Sequence, residues 1–232
     1  MSASLDSKVA LVTDTGPGIG RAIALRFAEA GAAVICVDAD VEEAERTAKE
    51  IEAAGGRALA LACDVSSSLE VDAACKRVER EFAGLDVLCN NTSTLVSGTI
   101  EETTEADWER VFSINVKPIY LMTRRALPLI RERGGGAIVN LASSLALIGF
   151  PGLAAYSASK GAVRMLTKCM AIDHATDGVR VNCICHGGID DRYCTSSSKP
   201  CPIPRRRSQP SSSACRPADS RVSRTWPTRR CS

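Results

Sequence analysis

The chain of 232 residues predicts an α/β fold: a doubly wound parallel sheet of six strands with helices on both faces. Three observations predict it. Short apolar runs alternate with longer helical patterns from about residue 8 to residue 184. Those runs are apolar throughout, as strands buried on both faces are, instead of alternating apolar with polar. A turn of small residues, Thr13-Asp14-Thr15-Gly16-Pro17-Gly18-Ile19-Gly20, joins the first run to the first helical pattern. The apolar share of 45% is ample for one packed core.

Each element follows in order. Residues 8–13 read as a strand and 19–30 as a helix, with Gly31 just past its end as a stop signal. Residues 33–37 form the second strand. Residues 41–54 form a charged, Ala-rich helix ended by Gly55-Gly56. Residues 58–62, 67–82 and 86–89 repeat the rhythm of strand, helix and strand. A long helical region covers 105–133, with Pro118 and Pro128 as kinks. Residues 137–141 are a strand, 154–174 a helix and 179–184 the sixth strand. Residues 1–189 thus make one domain.

Composition changes at residue 190. Residues 190–232 are rich in Ser, Arg and Pro, with Arg205-Arg206-Arg207, Ser211-Ser212-Ser213 and Arg229-Arg230 in place of any periodic pattern. Such a segment buries too little apolar surface to offset its ordering entropy. It reads as a disordered tail, translated from a shifted frame, in preference to a basic arm for RNA, membrane or partner docking. The formal charge of +2 gives no general basic surface, so a nucleic acid is not an expected partner. The first seven residues lack the basic and apolar regions of a signal peptide, and no run approaches the length of a membrane span. The 11 cysteines include no CxxC pair. Cys36, Cys63, Cys89, Cys169 and Cys183 lie in apolar runs, as buried core thiols do. Cys183, Cys185 and His186 lack a fourth ligand, so no metal is expected. A reduced, cytoplasmic setting follows.

Tyr156 and Lys160 are the candidate reactive pair. Four apart on a helix, they share one face. An ammonium beside a phenol stabilises the phenolate and brings the phenol's pKa toward neutrality. Such a phenol can exchange a proton with an alcohol or a carbonyl. The small-residue turn suits a phosphate, because backbone N–H groups at a helix N-terminus can approach it closely. Asp38 ends the second strand about twenty residues on, where a carboxylate accepts ribose hydroxyls and repels a 2′-phosphate. Asp38 could instead cap the helix that starts near Val41, although Asp40 is placed for that too. Asp64-Val65, after the third strand, either contacts adenine or turns the chain. Asn90-Asn91 closes the fourth strand and either holds nearby backbone or lines the cofactor cleft.

Together these residues resemble the short-chain dehydrogenase/reductase family, from residue 8 to about residue 189. The family's Thr-Gly-x-x-x-Gly-x-Gly motif matches at Thr13, Gly18 and Gly20, and its Asn-Asn-Ala-Gly motif at Asn90 and Asn91. Its Asn-Ser-Tyr-Lys set matches at Asn115, Ser143, Tyr156 and Lys160, with Ser143 thirteen residues before Tyr156. The resemblance implies a Rossmann-type fold and an NAD-dependent oxidoreductase acting on a secondary alcohol or ketone. It makes Asn115, Ser143, Tyr156 and Lys160 catalytic: Tyr156 as acid and base, Lys160 as its cation and nicotinamide-ribose ligand, Ser143 as holder of the substrate oxygen, Asn115 as holder of a water. It assigns cofactor contacts to Thr13, Gly16, Gly18, Ile19, Gly20, Asp38, Asp64, Val65, Asn91, Tyr156, Lys160 and Ile189. Leu95, Leu145, Leu147 and Phe150 would line an apolar substrate pocket.

The sequence also departs from the family pattern. Asp14 stands at the first glycine, where the pattern leaves no room for a side chain beside the adenosine ribose and where its charge would lie near Asp38 and the pyrophosphate. Thr92-Ser93 replace Ala-Gly, His186 replaces a proline, and Asp191 replaces a small hydroxyl residue. After Asp190 nothing resembles the family's lid, last helix and last strand. These departures imply weak cofactor binding and low turnover, which makes a catalytically impaired relative the alternative reading. The family pairs subunits through its two long helices, here 105–133 and 154–174, so a homodimer is expected. A tetramer that uses the final helix and strand is not.

Overall fold

The computed structural model describes residues 4–188. The expectations for Ile189, Asp191 and the tail from residue 190 lie outside the described residues. Six strands form one parallel sheet: β1 (Val9–Thr13), β2 (Ala33–Asp38), β3 (Arg57–Ala62), β4 (Val87–Asn90), β5 (Gly136–Leu141) and β6 (Val179–Ile184). Their order is β3-β2-β1-β4-β5-β6, and every pairing is parallel. The order turns back on itself between β1 and β4. At such a point the connections leave toward opposite faces and open a crevice at the carboxyl ends of the strands. This is the Rossmann-type arrangement that the sequence predicts.

Six α-helices cover the sheet: α1 (Ile19–Glu29), α2 (Val41–Ala53), α3 (Ser68–Phe82), α4 (Glu105–Asn115), α5 (Lys117–Glu132) and α6 (Ala154–Asp173). Alternate residues of β1 serve the two faces. Val9 and Leu11 join Val71, Val78, Met122, Ile130 and Val163 in one core layer. Ala10 and Val12 join Ala24, Ala44, Ala48 and Ile51 in the other. That division explains why β1 is buried at every position and apolar from Val9 to Val12. Among the described residues no helix is long and apolar enough to cross a membrane.

Side chains cap three of the six α-helices: α2, α3 and α4. Asp40 accepts from Glu42 N at 3.0 Å, and Thr104 from Asp107 N at 3.1 Å, each satisfying an N–H group that the first turn leaves over. α1 differs. Its N-cap is Gly18, no side chain caps it, and its first turn holds no acidic residue. Its leading N–H groups therefore face whatever lies at the end of β1.

Three expectations are corrected. The region 105–133 is two helices. α4 stops at Asn115, Val116 departs from helical geometry at φ −115 and ψ −52, and α5 begins at Lys117. Pro118 is therefore not a mid-helix kink but a first-turn residue, where its missing N–H costs no bond. Pro128 lies within α5, which runs on through it. Cys169 is exposed, on the side of α6 away from the buried row Tyr156, Lys160, Val163, Thr167 and Met170. Cys36, Cys63 and Cys89 are buried, and burial pushes each thiol up to about 12, so they stay protonated core residues. The fourth strand starts at Val87 instead of Asp86. Asp86 accepts from Val9 N at 2.9 Å and pairs with Lys8 and Arg133, each at 3.0 Å.

A buried polar line crosses the middle of the sheet. Asn90 Nδ2 on β4 donates to Asn140 Oδ1 on β5 at 2.8 Å. Asn140 Nδ2 donates to Thr167 Oγ1 on α6 at 2.9 Å, and Thr167 Oγ1 donates to Val163 O at 2.8 Å.

Candidate active site

The crevice at the carboxyl ends of β1, β4 and β5 is a cleft of about 240 Å³. Its two ends come from different elements. The loop between β1 and α1 supplies Asp14, Gly16, Pro17, Gly18 and Ile19. The end of β5 and the start of α6 supply Ser143, Tyr156 and Lys160.

At the α6 end, Tyr156 is 7% exposed, Lys160 1% and Ser143 5%. Helical spacing stacks Tyr156 and Lys160, and Lys160 Nζ lies 5.7 Å from the Tyr156 ring centroid. Lys160 Nζ donates to Leu141 O at 2.9 Å. Burial pushes the Lys160 ammonium down to about 8, against an upward pull from the Asp14 carboxylate. Ser143, two residues past the end of β5, is extended, and its Oγ accepts from Leu145 N at 3.2 Å. The Ser143 hydroxyl hydrogen is thus left to donate into the cleft.

Asn115 does not line the cleft. Its Oδ1 accepts from Thr94 N at 2.7 Å. Its Nδ2 donates to Thr94 O and Ser159 Oγ, both at 2.9 Å. Ser159 Oγ in turn donates to Tyr156 O at 2.7 Å. The last residue of α4 thereby ties the segment after β4 to the turn of α6 that carries Tyr156. Asn115, expected to hold a water, has its side-chain amide engaged with Thr94 and Ser159.

At the other end, small residues set the approach. A Cβ on Gly20 would lie 2.0 Å from Asp14 O, so only glycine lets α1 come this close to the loop. Gly18 has φ +148, and nothing lies within 4 Å of where its Cβ would be. Asp38 Oδ2 accepts from Gly16 N at 2.8 Å and Oδ1 from Asp40 N at 3.0 Å. Asp40, not Asp38, caps α2. Asn91 lines the cleft, and its Nδ2 donates to Thr13 O and Asp14 O, both at 3.1 Å. Thr13 is buried behind the cleft, where its Oγ1 accepts from Asn91 N at 3.0 Å.

Other expected residues do not line the cleft. Asp64 is exposed and turns the chain, its Oδ1 accepting from Ser66 N at 2.8 Å. Val65 is buried, and neither residue lines the cleft. Thr92 adds no bulk to the cleft, because its hydroxyl turns to Thr13 Oγ1 at 3.0 Å, whereas Ser93 does line it. Leu95, Leu145 and Phe150 line the cleft as expected, but Leu147 is exposed and does not. Ile148 takes its place. A short 3₁₀ turn at Ser144–Ala146 shifts the phase by one residue there, a turn that no apolar spacing announces. Asp14 is accommodated by a left-handed backbone, φ +58, with its side chain on the cleft.

A short chain dehydrogenase family model matches residues 8–200, and the chain belongs to that family of oxidoreductases. It is 39% identical over 194 residues to a 3β-hydroxysteroid dehydrogenase of Mediterraneibacter gnavus, covering 83% of this chain and 70% of that protein. It is 39% identical over 181 residues to a meso-2,3-butanediol dehydrogenase of Serratia marcescens, covering 78% and 70%. A solved structure of a 7α-hydroxysteroid dehydrogenase complexed with NADH and 7-oxo glycochenodeoxycholic acid superimposes with a TM-score of 0.76. That protein is 32% identical, over 79% of this chain and 71% of its own. The family typically binds a nicotinamide cofactor. The side-chain-free N-terminus of α1 and the open space at Gly18 fit its pyrophosphate, and the Asp38 carboxylate fits its adenosine ribose. The Asp14 carboxylate lines this end too, and its charge opposes the pyrophosphate.

Proposed function

We propose that this chain is an NAD(H)-dependent oxidoreductase that interconverts a secondary alcohol and a ketone, with Tyr156 as the acid and base. One observation carries the reading: Ser143, Tyr156 and Lys160 share a single cleft with the glycine loop Gly16 to Ile19. A bound nicotinamide supplies the site that takes or gives hydride. The Tyr156 hydroxyl exchanges a proton with the substrate oxygen. The Lys160 cation, stacked beneath it, stabilises the phenolate left behind. The Ser143 hydroxyl donates to the same oxygen and stabilises charge as it develops. Leu95, Leu145, Ile148 and Phe150 give the substrate end an apolar wall, which suits a partly hydrophobic alcohol.

Asp38 favours NAD over NADP, because its carboxylate stands where a 2′-phosphate would meet like charge. The exposed Trp108 on α4, Tyr120 on α5 and Met165 on α6 support pairing of two copies through these helices. Titration with NADH, read as a rise in its fluorescence, tests the reading. Saturable binding stronger than that of NADPH is expected, and no saturable signal with either would discard it. The second reading, an impaired relative with weakened cofactor affinity, is favoured by the Asp14 carboxylate on the cleft.

A further inference from the structure

The sheet has a second recess, at the end opposite the cleft. It is an open hollow of about 880 Å³ where β1, β2 and β3 begin. Lys8, Arg57, Arg80 and Arg133 line it, with Glu29, Glu81 and Phe82. Among the described residues it shares no lining residue with the cleft. Arg57, Arg80 and Arg133 gather at the C-terminal end of α3. Arg80 belongs to its last turn. Arg57 Nη2 donates to Glu81 O at 3.3 Å, and its guanidinium carbon lies 4.5 Å from the Phe82 ring centroid. Arg133 lies across Gly84, where a Cβ would meet its Cγ at 2.6 Å.

The carboxylates around the hollow are already matched by other cations. Glu29 pairs with Arg26, Glu81 with Arg77, and Asp86 with both Lys8 and Arg133. A further carboxylate, Asp6, stands beside Gly31 and accepts from Ser4 Oγ at 2.6 Å. The carbonyl ends of α1 and α2 reach the hollow too, but glycine turns already bond them. Gly31 N donates to Ala28 O and Gly56 N to Ile51 O, both at 2.9 Å. Among the described residues neither Arg57 nor Arg80 has a carboxylate partner. Two full positive charges therefore stand together at the hollow without a fixed counter-charge.

We propose that this hollow binds a phosphate group, with Arg57 and Arg80 as the residues that hold it. The planar fork of a guanidinium matches two oxygens of a phosphate. Arg57 is prepared for that use. The carbonyl and the ring hold it with one donor, which leaves the other donors of its fork and little rotamer freedom to lose. Arg80 supplies the second charge from the same helix end. The proposal does not depend on the function proposed above, because the two sites lie at opposite ends of the strands.

Calorimetric titration of the full chain at fixed ionic strength tests it, with inorganic phosphate in one arm and glycerol 3-phosphate in the other. Saturable binding of at least one is expected, and the tighter of the two shows whether a free ion or an ester is the preferred source. Arg80→Gln should weaken that binding ~3–10-fold, and Arg57→Gln with Arg80→Gln ~10–100-fold, the Coulomb effect of one and two charges in partly wet protein. NADH affinity should be unchanged in both. Arg80 is an exposed residue, so Arg80→Gln alone decides the matter if the double variant does not fold. No saturable binding in either arm overturns the proposal. So does equal binding by the full chain and Arg80→Gln, since the anion then sits elsewhere on the chain.

Discussion

The two ends of the cleft are held by different means. Around Tyr156 and Lys160 the positions come from a regular helix, a strand end and a chain of buried hydrogen bonds through Ser159, Asn115 and Thr94. Around Asp14 they come from backbone conformations in a loop, φ +58 at Asp14 and φ +148 at Gly18, and from the absence of a Cβ at Gly20. A helix fixes side chains by its period, so the reacting groups keep their geometry whatever the loop carries. A loop fixes backbone, and here it admits a carboxylate whose charge acts on Lys160 while the helical spacing of Tyr156 and Lys160 is kept. Placement of the reacting groups and affinity for a cofactor are thus expected to be separable in this molecule.

The largest expected effect breaks or confirms that separation. Tyr156→Phe should lower turnover by about 10²–10⁴-fold, the usual contribution of a general acid or base, and leave NADH affinity little changed. Steady-state rates beside a fluorescence titration check it, and a parallel loss of binding would mean that the ends are coupled. Next comes Gly20→Ala, which places a methyl 2.0 Å from Asp14 O. It should cost about 1–3 kcal/mol in a urea unfolding curve, as overpacking does. An unchanged midpoint would mean that the loop yields, so its geometry would not be what places Asp14.

The smallest effect is the pH response of Lys160, whose ammonium burial lowers to about 8. Turnover should fall as pH rises through that value, by at most about tenfold per pH unit, because the cation beside Tyr156 is lost. The stability effect has the opposite sign. Between about 8 and the ordinary lysine value of 10.5 the unfolded chain keeps the proton and the folded chain does not, so folding gains as pH rises. Urea midpoints across this range read it, with Lys160→Met as the comparison. A profile shared by both proteins would assign the transition to another group.

Much of this was legible in the sequence because it depends on period and order. The parallel sheet with helices on both faces follows from apolar runs separated by helical patterns, and Tyr156 and Lys160 meet because helices repeat. What was not legible depended on small offsets. Asn115 and Val116 end one helix just before Pro118 starts another, and proline reads alike as a kink and as a first-turn residue. After the 3₁₀ turn at Ser144–Ala146, Ile148 lines the cleft where Leu147 was expected, although both are exposed. Cys169 sits in an apolar run yet faces outward, since its helix buries only one row. Asp64 reads alike as a turn residue and as a cleft residue, and in the structure its Oδ1 accepts from Ser66 N.

The line from Asn90 through Asn140 to Thr167 has its own consequence. Strands made of Val, Ile, Leu and Ala could slide past one another with little change in burial. Sliding β5 by one residue against β4 would strand three amide and hydroxyl groups in hydrocarbon, each at a cost of about 1–3 kcal/mol. Misregistered sheets are thereby penalised before any ligand arrives. The reacting residues at the strand ends inherit their alignment from this internal ruler.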